Sequence, residues 1–325
     1  MERVVVFGGG GFIGRYVVRH LARRGYMVRV VSRYPDRLGA LRVAGDVGQV
    51  SPVYGDVRSV RSVERLVSDA YGVINLVGIL KEPFWSVRGR LFRAIHEDVA
   101  RRIAECSWRA GVDYVVHVSA LGVERNKASA YARSKYAGEE AVRKAHKGAV
   151  ILRPSVVFGY EDMFFTMFAR MACWLPCLPV FGAHGFWGRE DRWGVRMQPV
   201  YVDDVACALS RMIGRQDMHG TRWDVVGEDV YGFGGLMRVL LRSIGRRRFL
   251  CPVPPWLILP IAWVSNMIPP RLLTWDQGFL LLRDNVSTHV SKGDKQNLFA
   301  VLGIKPRRLE AELPRLLERF HKRKR

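Results

Sequence analysis

The chain has 325 residues, 49% of them hydrophobic and 25% charged, a composition that excludes intrinsic disorder and can build two domains or one large α/β unit with an appendage. Its net charge of +22, from 52 lysines and arginines against 30 acidic residues, implies an anionic partner such as nucleic acid, acidic lipid or an acidic protein face. Five cysteines (Cys106, Cys173, Cys177, Cys207 and Cys251) are odd in number and share no spacing, so they suggest no disulfide framework or zinc cluster and fit a reducing compartment.

Arg3-Val4-Val5-Val6-Phe7 is an apolar run ending in four glycines, as expected of a parallel strand buried on both faces. A first strand at Arg3 leaves no room for a secretory or transit peptide, which predicts a cytoplasmic chain. From Phe12 to Arg24 the apolar positions recur at helical spacing, and Val28–Val31 supplies the next strand. The alternation continues with a strand near Pro52–Tyr54, a helix near Val60–Asp69, a strand Val73–Val77, a helix Leu91–Ala110, a strand Tyr114–Ser119, a helix Ser129–Ala145 and a strand Ala149–Arg153. This pattern predicts an α/β Rossmann fold, a doubly wound parallel sheet, over residues 1–155.

After Pro154 the pattern loosens, with helices predicted near 162–172, 203–213 and 232–243. Residues 156–325 read as a smaller mixed C-terminal substrate or interaction region that partly returns to the Rossmann sheet. Residues 249–283 are unusually apolar, yet Pro260, Pro269, Pro270 and Arg271 interrupt them, so the run of ~20 apolar residues that a membrane-spanning helix needs is missing. Core packing is expected there ahead of shallow insertion at an interface. The final His321-Lys322-Arg323-Lys324-Arg325 reads as a solvated tail or as an anchor to an anionic membrane surface.

Gly8, Gly11 and Gly14 form G-x-x-G-x-x-G at the first strand-to-helix turn, where glycine lets a pyrophosphate approach the backbone and Phe12 and Ile13 open the helix whose N-terminus attracts the anion. The second strand ends in Val31-Ser32-Arg33-Tyr34 with no acidic residue for a ribose hydroxyl. Arg33, with Arg37 behind it, can pair with a 2′-phosphate while Ser32 adds a hydrogen bond, which favours NADPH over NADH. Asp56, followed by Val57, is placed either to accept from an adenine amino group or to cap the helix beginning near Arg58. Tyr131 and Lys135 lie one turn apart on one helix face, the arrangement of a proton-transfer pair whose cation stabilises the phenolate and holds the nicotinamide ribose.

Together the glycines, Arg33, Gly55-Asp56, Val118-Ser119-Ala120, Tyr131 and Lys135 resemble the extended and atypical short-chain dehydrogenase/reductase superfamily. Leu152-Arg153-Pro154 through Gly159, Glu161-Asp162, Gln198 through Ala206, Trp275-Asp276-Gln277 and Asp284-Asn285 are similar to one branch of it, the NADPH-binding accessory subunits of respiratory complex I (NADH:ubiquinone oxidoreductase) and their bacterial relatives. The resemblance implies a cofactor site that also includes Pro154, and complex I subunits as partners. Two departures bear on chemistry. Ala120 stands where the superfamily usually carries Ser or Thr, with Ser119 one residue early and turned to the opposite face, and the helix 91–110 contains no asparagine. Losing one oxyanion donor costs about 3–4 kcal/mol of transition-state stabilisation. The resemblance therefore implies a structural or slowly reacting NADPH, held on a peripheral protein of the respiratory membrane.

A second reading is an active NADPH-dependent reductase, epimerase or dehydratase, associated through relatives with ubiquinone biosynthesis, in which Ser119 replaces the missing hydroxyl. RNA binding is a third, for which Phe84-Trp85 near Arg88 and Arg90 is the one hint of a basic stacking platform. His96, His117 and His184 match no metal or triad spacing and read as structural, so no metal is expected.

Overall fold

The computed structural model describes residues 1–83, 89–183, 185, 193–267, 274–288 and 297–321. His184, the Phe84-Trp85 and Arg88 platform, Pro269 to Arg271 and the last four basic residues lie outside them.

The chain opens with β1 (Arg3–Phe7), α1 (Phe12–Arg23), β2 (Met27–Ser32), a 3-10 segment (Pro35–Ala44), β3 (Val50–Tyr54), α2 (Val60–Val67) and β4 (Gly72–Asn75). Next come α3 (Arg90–Arg93), a π turn (Ala94–Asp98) and α4 (Val99–Arg109), then β5 (Tyr114–Val118), α5 (Ala130–Ala145) and β6 (Val150–Pro154). The later elements are β7 (Val157–Phe158), α6 (Phe164–Trp174), β8 (Cys177–Phe181), β9 (Arg196–Met197), β10 (Val200–Tyr201), α7 (Val202–Met212), β11 (Arg222–Val225), β12 (Tyr231–Gly232) and α8 (Phe233–Ser243). They end with β13 (Phe249–Val253), α9 (Pro255–Met267), α10 (Trp275–Leu280), α11 (Leu298–Val301) and α12 (Leu309–Leu316).

Seven strands make one parallel sheet in the order β11-β6-β5-β4-β1-β2-β3. The doubly wound arrangement is the one expected, and its seventh strand, β11, comes from beyond residue 155. Strand side chains alternate between faces. Val4 and Val6 therefore join a core with α1 and α7, while Val5 and Phe7 join a core with α2, α4 and α5. A third core lies between α6, α8, β8 and α12.

Local side chains explain where elements stop short of the expected ends. Asn75 Oδ1 accepts from the Val77 amide (3.0 Å), turning the chain two residues before the expected end of β4. Ser68 Oγ donates to the Arg65 carbonyl (3.2 Å) as α2 ends. The helix expected over Leu91–Ala110 is interrupted by its π turn, a packing effect invisible in the apolar spacing.

The residues that mark the complex I-like branch lace the C-terminal region to the sheet. Asp203 bonds His20 of α1 (2.8 Å) and Asp204 accepts from the Arg307 amide (2.7 Å). Gln198 donates to the Gly227 carbonyl (2.8 Å), and Asn285 Oδ1 accepts from Val156 (3.2 Å). The apolar stretch from 249 divides. In α9, Ile258 and Ala262 are fully buried, whereas Trp256, Pro260, Trp263 and Val264 form an exposed, uncharged face. Core packing thus accounts for one face of that helix. Among the described residues no helix is long and apolar enough to cross a membrane.

Within the sheet, Arg153 of β6 grips the fully buried Glu139 of α5 with Nε donating at 2.9 Å, and Glu124 lies 3.5 Å away. Removing Glu139 leaves the Arg153 guanidinium with only the longer Glu124 contact. Glu139→Ala should therefore cost about 3 kcal/mol of stability in urea unfolding, the lower end for a broken buried pair; a loss below about 1 kcal/mol would show the pair to be dispensable.

Candidate functional site

The strand order reverses between β1 and β4, and a ligand crevice is expected at the carboxyl ends of strands on either side of such a reversal. A cleft of about 300 Å³ lies there, at the ends of β1 and β2. It brings together Gly8, Gly11, Ser32, Arg33, Arg37 and Val57 of the sequence-derived set, and adds Gly10, Val31, Tyr34, Leu38, Gly55 and Val77.

Gly8 has φ +81°, and a Cβ on it would stand 3.0 Å from the Leu76 carbonyl carbon, so the turn requires glycine. At Gly14 a Cβ would fall 2.4 Å from the Gly8 oxygen, which lets α1 sit directly on the turn. Gly11 is the N-cap of this helix, and neither a capping side chain nor a first-turn acid supplies negative charge there. An anion complements such an end. Arg15 Nε holds the Gly10 carbonyl (3.0 Å) while its Nη1 donates to Glu161 (2.7 Å), fixing the glycine loop against the segment before α6.

At the far wall the guanidinium carbons of Arg33 and Arg37 lie 5.9 and 4.8 Å from the Tyr34 ring centroid. No hydrogen bond or ion pair commits either guanidinium to a described carboxylate, so a phosphate can meet both. These features fit a nicotinamide dinucleotide: glycines admit its pyrophosphate, the helix end faces the anion, and the arginines stand at the adenosine side.

The other expected residues are not among those lining this cleft. Phe12 packs edge-on against Tyr16 (6.4 Å) and Ile13 packs against the hydrophobic cores, and both residues open α1. Asp56 caps no helix. Ser59 is the N-cap of α2, and Asp56 accepts from the Arg58 amide (2.9 Å) and Nε (3.2 Å), bonds that with the Arg58 and Arg33 charges hold its carboxyl below the usual range. Pro154 is buried at the end of β6, where its carbonyl accepts from Leu121 (2.9 Å).

Tyr131 and Lys135 lie on α5. Lys135 Nζ is buried and donates to the Val118 carbonyl (3.1 Å), and burial lowers its pKa to about 8. Tyr131 stays a neutral phenol, its pKa pushed up to about 12 by burial and then by the Asp276 carboxylate. That carboxylate, from α10, accepts from Ser129 Oγ (2.7 Å), the Ala130 amide (2.7 Å) and the Tyr131 amide (3.2 Å), so the C-terminal region caps the helix that carries Tyr131. Ser119 Oγ is buried beside Val118 with no hydrogen-bond partner among the described residues, and the Ser119 amide donates to Leu152 (2.8 Å). Asn75, which holds the Val77 amide at the cleft wall, and His96, whose ring meets Tyr131 edge-on (5.3 Å), border the site. No periodicity marks them, although Asn75 precedes Leu76-Val77-Gly78 at a strand end as Gly8 follows β1.

A glycine cradle at the reversal of a parallel sheet, with a Tyr–Lys helix beyond it, defines a nicotinamide-dinucleotide-binding Rossmann protein. The chain belongs to the NAD dependent epimerase/dehydratase family, whose model matches residues 4–225. It is 33% identical over 263 residues to mouse (Mus musculus) "NADH dehydrogenase [ubiquinone] 1 alpha subcomplex subunit 9, mitochondrial", covering 81% of this chain and 66% of that relative's length. It is 30% identical to "Ceramide reductase" of Caulobacter vibrioides, covering 77% and 73%. The fold is also that of Citrobacter sp. triphenylmethane reductase complexed with NADP(H), with a TM-score of 0.71 at 15% identity over 97% of this chain and 99% of that one.

His117 lies beneath the site, its Nδ1 accepting from the Asn75 amide (3.1 Å), whose oxygen is taken by Val77. Burial and then Lys135 lower its pKa to about 3. The unfolded chain takes up that proton near pH 6.5, so stability falls as pH drops below this value. His117→Gln should remove about 2 kcal/mol of the stability lost between pH 7 and pH 5. Denaturation curves at the two pH values check this, and an unchanged difference would contradict it.

Proposed function

We propose that the chain is an NADPH-binding accessory or assembly subunit of respiratory complex I, catalytically weak and peripheral at the respiratory membrane. The observation that carries this reading is an intact dinucleotide cradle joined to a phenol held neutral by burial and by Asp276. Bound nicotinamide dinucleotide supplies hydride transfer. Around it, the chain's own residues bind phosphate through the glycine turn and Arg33, offer Lys135 to a ribose, and hold the Tyr131 proton in place.

Partnership with complex I is supported by the names of the relatives, of which the mouse, rat, Dictyostelium and Arabidopsis sequences are all called NADH dehydrogenase [ubiquinone] 1 alpha subcomplex subunit 9. Peripheral placement is supported by the uncharged Trp256, Pro260, Trp263 and Val264 face of α9, since aromatic rings favour membrane interfaces. One observation favours a second reading, an active reductase. The Ser119 hydroxyl, without a hydrogen-bond partner among the described residues, lies next to the residue that holds Lys135, where it could donate to a carbonyl oxygen. NADPH oxidation abolished by Tyr131→Phe would establish that reading; turnover unaffected by the change would end it.

Two experiments test the main proposal. Arg33→Glu should weaken NADPH binding about tenfold to a hundredfold by removing a charge-assisted phosphate contact, with NADH changed by less than about threefold. Calorimetric titration reads both, and equal losses contradict the 2′-phosphate contact. In mildly solubilised respiratory membranes the chain should co-purify with complex I subunits. Recovery only as a free protein overturns the partnership.

A further inference from the structure

His96 is fully buried and sits inside the π turn between α3 and α4. Its Nδ1 lies 2.8 Å from Ser134 Oγ, and Ser134 Oγ donates to the Tyr131 carbonyl (2.8 Å). Because the hydroxyl proton is committed to that carbonyl, the ring proton must be on Nδ1. The bare Nε2 then accepts from the Ile79 amide (3.1 Å). Neutral imidazole satisfies both bonds, whereas an imidazolium would confront the Ile79 N–H with a second donor. The histidine is therefore no proton carrier.

Its two bonds join parts of the site that are remote in sequence. Ile79 follows Val77, a wall of the dinucleotide cleft, and Gly78, where a Cβ would stand 3.2 Å from Lys135 Nζ and 3.5 Å from His96 Nε2. Ser134 immediately precedes Lys135 on α5. Three residues past Lys135, a Cβ on Gly138 would fall 2.0 Å from the His96 carbonyl oxygen, so α5 lies flush against the π turn. The His96 ring also stacks on Phe92 (5.5 Å, 18°) and meets the Tyr131 ring edge-on (5.3 Å). A π turn disturbs regular helical hydrogen bonding and persists where surrounding contacts hold it.

We propose that His96 is a positioning residue that pins the loop after β4 to α5, and so sets where Lys135 meets the nicotinamide half of a bound dinucleotide. The proposal rests on the dinucleotide reading above. It separates the two ends of the ligand, because Arg33 and Arg37 at the adenosine end have no bond to His96.

Calorimetric titration of the full chain with NADPH and with 2′,5′-ADP, which lacks the nicotinamide half, tests it. His96→Ala should weaken NADPH at least about tenfold while 2′,5′-ADP stays within about twofold. His96→Gln, whose amide can both accept from Ile79 and donate to Ser134, should recover most of the affinity. Ser134→Ala cuts the same link from the other side and should show the same split, which covers the case of a His96→Ala chain that fails to fold. Equal weakening of both ligands, or of neither, overturns the positioning role. Failure of the unaltered chain to bind either compound overturns the dinucleotide reading instead.

Discussion

Tyr131, Ser134, Lys135 and Glu139 all stand on α5, so the placement of that one helix decides what the site can do. Polar contacts from distant parts of the chain help to fix it. Asp276 caps its first turn, Arg153 reaches its buried middle through Glu139, and His96 ties its Ser134 to the loop after β4. Each contact leaves a buried or capping group unsatisfied if broken, which is costlier than losing an equivalent surface bond. Asp276 arrives from a distant part of the chain, so the geometry at Tyr131 depends on the docking of the C-terminal region.

The Asp276 contact has a chemical consequence. A reductase of this architecture needs a cation to draw the phenol toward its anion, but here the charged group acting on Tyr131 is a carboxylate, and Lys135 is bound to a backbone oxygen. Binding and proton transfer are therefore separable in this molecule. The cradle at Gly8, Gly11 and Gly14 depends on backbone geometry and helix polarity, whereas proton transfer depends on α5 electrostatics.

The alternating apolar runs carried the fold, because a strand buried on both faces and a helix with one buried stripe leave different periods in the chain. Their ends were less readable. Asn75, Ser68 and Ser59 stop or start elements through hydrogen bonds to nearby backbone, and apolar spacing does not register those. Likewise Gly8, Arg33 and Arg37 were recognisable as a cleft from local order, since the turn, the helix start and the second strand end are within one βαβ unit. The assignment of Asp56 as a helix cap gave way to a local Asx turn with Arg58, because Ser59 caps α2 and a carboxylate two residues before an amide accepts from it directly.

The opening excess of charge acquires a location by the same route. Two of its arginines line the dinucleotide cleft, and others are spent on ion pairs between distant segments, as with Arg153 and Glu139, Arg15 and Glu161, and Arg307 and Asp203. Sequence by itself determined the parallel α/β architecture, the glycine turn and the arginine pair, all of which are written in residues close together along the chain. Only the tertiary structure decided that Asp276 caps the Tyr131 helix, that His96 bridges Ile79 to Ser134, and that α9 buries one face and exposes the other. Those outcomes depend on which distant groups meet in a low-dielectric interior, where each buried donor and acceptor must find a partner.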